Sequence, residues 1–130
     1  MPVTDVTTDP TALTMTLTAE LAAPVERVWR AFTDPRQLER FWGPPTYPAR
    51  FDEFDMRVGG RALYAMEGPT GDNPRGSWEF LSIDEPRGFE VIDSFVDDDG
   101  KPLDGFPAMR MSFSFEPHGE GTRLVNTTFF

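Results

Sequence analysis

The chain has no cysteine. That excludes disulfide bonds, thiolate nucleophiles and cysteine-built zinc centres together. It has one histidine, His118, so a metal site would have to be built from carboxylates. Positive charge is scarce: 12 Lys and Arg stand against 22 Asp and Glu, a net charge of −10. A chain of that sign repels phosphate backbones and anionic lipid, so nucleic acid and membrane surfaces are poor partners. No apolar run approaches the ~20 residues that a membrane span needs. The first eleven residues, MPVTDVTTDPT, carry neither the basic stretch nor the apolar stretch of a signal peptide. Together these absences make the cytoplasm the expected location.

Large side chains, by contrast, are plentiful. Aromatics are 13% of the chain and phenylalanine alone contributes 12 residues, too many for a disordered chain and enough for one well-filled core. Residues 1–11 are Thr, Asp and Pro with little apolar content and read as a flexible leader. Residues 12–130 read as one domain without internal repeats.

The domain opens on ALTMTLTAEL, which alternates Leu13, Met15, Leu17, Ala19 and Leu21 against Thr14, Thr16, Thr18 and Glu20. That is the pattern of a half-buried antiparallel strand. The period then changes. Val25, Val28, Trp29 and Phe32 fall on one face of a short helix that Pro24 starts. A second short helix begins with Asp34 as N-cap and Pro35 behind it. Leu38, Phe41 and Trp42 form its apolar face, and Gly43-Pro44-Pro45 ends it. Everything after that reads as strands: YPARFDEFDM, RALYAMEG, SWEFLSI, GFEVIDSFV, AMRMSFSFE and TRLVNTTFF. The order is therefore one strand, two helices and a six-stranded meander, an α+β chain. It ends on Phe129 and Phe130, two aromatics at a position that is usually frayed and polar.

Three stretches carry a family resemblance: LAAPVERVWRAFTDPRQLERFWGPP, DMRVGGRALYAMEGPTG and IDEPRGFEVIDSF. In this order and spacing they resemble the START-like helix-grip superfamily (SRPBCC). Within it they resemble the AHSA family, homologues of the activator of the heat-shock chaperone ATPase. The resemblance covers about residues 12–130. It implies a curved seven-stranded antiparallel sheet, a long C-terminal helix across the concave face, and a cavity between them. Nothing follows the last strand in these 130 residues, so the gripping helix is expected to be absent. That reads as a C-terminally truncated domain, or as one whose open sheet face is covered by a protein partner or by a second copy.

Chemistry-bearing motifs are few. His118 lies in EPHGEG, a hairpin turn, with no Ser or Asp placed for a triad. There is no G-x-S-x-G elbow and no phosphate loop. DDDG at 97–100 lacks the spaced ligands of a calcium loop and reads as solvated. In FDEFD, strict alternation places Glu53 and Asp55 with Phe51, and Asp52 with Phe54. Arg50, Arg61 and Arg110 sit in strands, where outer-face pairing with carboxylates is the plain reading and ligand binding the sharper one. No metal and no cofactor is called for.

The feature that points to function is a set of aromatic and methionine side chains. Trp42, Tyr64, Met66, Trp78, Phe80, Met109, Met111 and Phe113 are the candidate ligand-binding residues. Plain core is the alternative for any one of them. As a set, Met adapts to varied shapes and Tyr64 or Trp78 could offer a polar contact. Trp42 serves either as a plug at one end of the core or as a gate.

The reading that follows is non-catalytic binding of a hydrophobic or amphipathic small molecule between sheet and helices, as the resemblance implies. The resemblance also leaves open a protein-interaction module of the chaperone-ATPase-activator type. A third option is a polyketide cyclase- or aromatase-like enzyme, with Tyr64, Glu53, Asp93 and Arg110 as its candidate polar groups.

Overall fold

The computed structural model describes residues 3–40, 42 and 46–130. Strands β1 (Val3–Asp9) and β2 (Thr14–Leu21) lead into helices α1 (Val25–Thr33) and α2 (Pro35–Leu38). Six strands follow: β3 (Ala49–Phe54), β4 (Arg61–Met66), β5 (Arg75–Asp84), β6 (Gly88–Val96), β7 (Met109–His118) and β8 (Gly121–Phe129). All eight form one open antiparallel sheet in the order β1-β2-β8-β7-β6-β5-β4-β3. The chain thus closes on itself at β2 and β8, which pair along their whole length from Thr14↔Phe129 to Leu21↔Thr122.

The sheet has eight strands where seven were expected, because residues 3–9 of the supposed leader pair with β2. The side chains of residues 4–9 are exposed, so no buried face marked the segment in the sequence. Backbone pairing of a Val- and Thr-rich run makes the strand instead. The turn that folds it back is held by Asp9, whose carboxylate accepts from the N–H groups of Thr11 and Ala12. Leu13 takes the left-handed conformation there.

Helix α1 buries Val25, Val28, Trp29 and Phe32, as their spacing predicts. Pro24 sits one position earlier than expected, as N-cap. The start of α2 is as read: Asp34 caps it, accepting from the Arg36 N–H, with Pro35 at the first turn. Trp42 continues the turn, its N–H bonded to the Leu38 carbonyl. Phe41 and the Gly43-Pro44-Pro45 stop lie outside the described residues.

The core lies between α1 and the inner face of the sheet. Phe32 meets Phe113 and Phe115 at ring separations of 5.6 and 5.1 Å, and Phe89 stacks on Phe113 at 4.7 Å. Each such ring contributes roughly 1.5–3 kcal/mol through burial.

The free edge at β3 is managed by α2. Arg36 donates to the Phe51 carbonyl at 2.7 Å, and Glu39 accepts from the Phe51 N–H at 2.7 Å. The two side chains also pair with each other at 3.2 Å. Between them they replace the hydrogen bonds a neighbouring strand would supply, which blunts the edge against foreign pairing.

The two terminal aromatics part company. Phe129 lies on the outer face with the Arg110 guanidinium 3.9 Å above its ring. Phe130 turns to the inner side, where it borders a small apolar hollow and stays 62% exposed. No helix among the described residues is long and apolar enough to cross a membrane.

Candidate functional site

Strand alternation sorts the sheet into two chemically distinct faces. On the outer face the strand arginines meet carboxylates: Arg50 with Asp52, Arg61 with Glu53 and Arg110 with Glu90, at 3.2, 3.5 and 2.8 Å. Here the FDEFD reading needs correction. A bulge between Phe51 and Glu53 shifts the register, so that Phe51 faces Tyr64 and Phe54 faces Ala62. Both rings turn inward and touch at 5.6 Å. Asp52 and Glu53 both lie exposed, because one extra residue in a strand reverses every side chain after it.

The inner face is mostly apolar, with Thr122, Asn126 and Thr128 on β8 and one charge-bearing exception. Cross-strand pairing aligns Tyr64 with Gly76, Trp78 with Asp93, and Asp93 with Met109. Asp93 is the one Asp, Glu, Lys or Arg among the strand positions on this face, by the register of the eight strands. Its Oδ1 accepts from the Tyr64 hydroxyl at 2.8 Å. The Trp42 ring is set edge-on to Tyr64 at 6.0 Å and to Trp78 at 4.6 Å.

This geometry has an electrostatic result. Burial pushes the Asp93 carboxyl up to about 6, against the opposing pull of the Tyr64 hydrogen bond, which favours the carboxylate. Burial, and then the negative charge of Asp93, hold the Tyr64 phenol well above its ordinary range. At neutral pH the pair is thus a carboxylate close to its own midpoint beside a phenol that keeps its proton. The Trp78 indole N–H is buried without a hydrogen-bond partner among the described residues.

All eight candidate ligand-binding residues reach this inner region, but in two states. Tyr64, Trp78, Phe80 and Phe113 are buried in the core; Trp42, Met66 and Met111 are half-buried against it. Met109 is half-buried and borders a hollow of about 210 Å³, lined also by Phe95, Phe106, Pro107, Ala108 and Phe130. A second apolar groove, about 420 Å³, runs beside α1 between Leu21, Val28, Ala31 and Phe32. The residues that offer surface are therefore the methionines and Trp42, while the four buried aromatics build the floor. Asp93 stood among the enzyme candidates and outside the binding set. Its signal was in the sequence: GFEVIDSFV places it in phase with Phe89, Val91 and Phe95. The hollow at Phe106 and Phe130 had no local signature, because it joins a loop to two distant strands.

Other candidates lie apart from this face. His118 is exposed at the hairpin and pairs with Glu20 at 3.2 Å. In the loop at 97–100, Asp97 accepts from the N–H groups of Asp99 and Lys101, and these bonds, the one from Lys101 foremost, hold its carboxyl below the usual range.

The fold matches known proteins. The family model described as "Activator of Hsp90 ATPase homolog 1-like protein" aligns with residues 22–128. The chain belongs to this AHSA1 family. Protein Ms6760 from Mycobacterium smegmatis is 45% identical with a TM-score of 0.91, over 99% of this chain and 79% of that one. A protein from Arthrobacter aurescens is 42% identical with a TM-score of 0.94, over 98% of this chain and 74% of that one. The AHSA1 protein of Silicibacter pomeroyi, 21% identical with a TM-score of 0.74 over 90% of this chain and 79% of its own, shares the fold. No curated protein matches the chain. The AHSA1 assignment carries the START-like, helix-grip reading of the sequence with it.

Proposed function

We propose that this AHSA1-family domain binds an amphipathic small molecule on the inner face of its sheet, without chemically altering it. The observation that supports this is the Tyr64–Asp93 pair, a polar anchor set beside a surface of rings and methionines. Binding sites for small molecules have that composition: mostly apolar walls with a few placed polar groups. The half-buried Met66, Met109 and Met111 suit varied ligand shapes.

The neutral dye Nile red tests the reading. Its fluorescence should rise on mixing with the protein. Met111→Glu, which puts a charge into the face, should abolish that rise. Thr16→Glu, on the outer face, should not. Equal binding by both variants would locate the dye elsewhere and end the proposal.

The same pair supports a second reading, an acid–base enzyme of the cyclase type. A carboxyl with its midpoint near 6 can hold and return a proton close to neutral pH. The two readings separate at Asp93→Asn, which would leave an enzyme able to bind its substrate and unable to turn it over.

A further inference from the structure

Among the described residues no salt bridge reaches Asp93, whereas Asp52, Glu53 and Glu90 on the outer face each pair with an arginine. The outer-face arginines are all engaged with acids: besides the three pairs above, Arg75 reaches Asp52 and Asp98, and Arg123 reaches Glu20 and Glu116. Every element packed around Asp93 offers it something uncharged. From β4 comes the Tyr64 hydroxyl, from β5 Trp78 and from β7 Met109. Burial and the Tyr64 hydrogen bond are what set the state of this carboxyl, with no charged neighbour contributing. Tyr64 is the one hydrogen-bond donor found on it among the described residues, and it occupies Oδ1.

We infer that the ligand of the inner face is a hydrophobic amine, bound as its ammonium ion at Asp93 with its apolar part along the methionines. This rests on the binding reading above and gives that site a charge preference. An ionised carboxylate on an apolar surface is costly unless a cation pairs with it. The protein supplies none, so the ligand does. An anionic amphiphile would meet Asp93 as a like charge. A neutral one would gain a hydrogen bond at most, without the charge pairing. The overall charge of −10 steers cations toward the molecule and anions away.

Isothermal titration calorimetry of the full chain with octylamine, octanol and octanoate at pH 7 tests the inference, since the three share an alkyl chain and differ in charge. Octylammonium should bind about tenfold more tightly than octanol, and octanoate most weakly. Asp93→Asn should bring octylammonium down to the octanol level. Independently of any variant, octylammonium binding at pH 6 should release protons as Asp93 ionises, seen as heats that depend on the buffer, and octanol binding should release none. Equal affinities for octylamine and octanol, or tightest binding of octanoate, would overturn the charge preference while leaving apolar binding intact. No binding by any of the three would remove both.

Discussion

The Tyr64 hydroxyl reaches Asp93 across an intervening strand, because Gly76 on β5 leaves the space that the phenol occupies. A Cβ at Gly76 would collide with Cζ and Oη of Tyr64. Gly76→Ala should therefore displace the ring and break the 2.8 Å bond to Asp93. The expected result is a loss of roughly 1–3 kcal/mol by overpacking, read by urea denaturation, together with a shifted Asp93 titration. Unchanged stability and titration would show that the ring reaches Asp93 by some other route.

The stability of the folded chain should depend on pH through Asp93. Its folded value of about 6 lies above its ordinary 3.8, so the folded state holds the proton more tightly than the unfolded one. The favourable contribution is complete below pH ~4 and is lost as pH rises through 6. For a shift of two units the loss approaches ~3 kcal/mol. Asp93→Asn, which cannot ionise, should match the native chain at pH 4 and exceed its stability at pH 8. Denaturation curves across that range check the sign.

Tyr64→Phe removes the one donor found on Asp93 and should push its carboxyl higher still, since the hydrogen bond favours the ionised form. A carboxyl-carbon NMR titration measures this directly. Stability at pH 8 should fall by ~1–3 kcal/mol, the usual effect of leaving a buried charged group without its partner.

Glu39→Ala tests the covering of the β3 edge. It removes the acceptor of the Phe51 N–H, 2.7 Å away, and the ion-pair partner of Arg36. Amide exchange at Phe51 should accelerate at least tenfold, with the β5 and β6 amides unaffected. Uniform acceleration across the sheet would mean that Glu39 supports global stability instead.

Phe113→Ala, in the middle of the ring cluster, should lower stability by about 3–5 kcal/mol through the cavity it leaves. Calorimetric melting measures this.

Much of the molecule was legible in the residues alone. Alternation in ALTMTLTAEL and AMRMSFSFE, the helical spacing from Val25 to Phe32, and the Asp34-Pro35 start each fix a local state, because a strand or a helix shows its period to a single core. That the eight side chains proposed for binding reach the inner region was legible too. Three things were not. Strand β1 buries no face, so only its pairing with β2 reveals it. The bulge in β3 depends on what Phe51 and Phe54 meet across the sheet, and period counting passes over it. The Tyr64–Asp93 pair is the third. The sequence put Asp93 on an apolar face, but its proximity to Tyr64, 29 positions away, comes from strand order and from the gap at Gly76. Periodicity determines which way a side chain points. Register and packing decide what it meets there, and the state of Asp93 follows from that meeting.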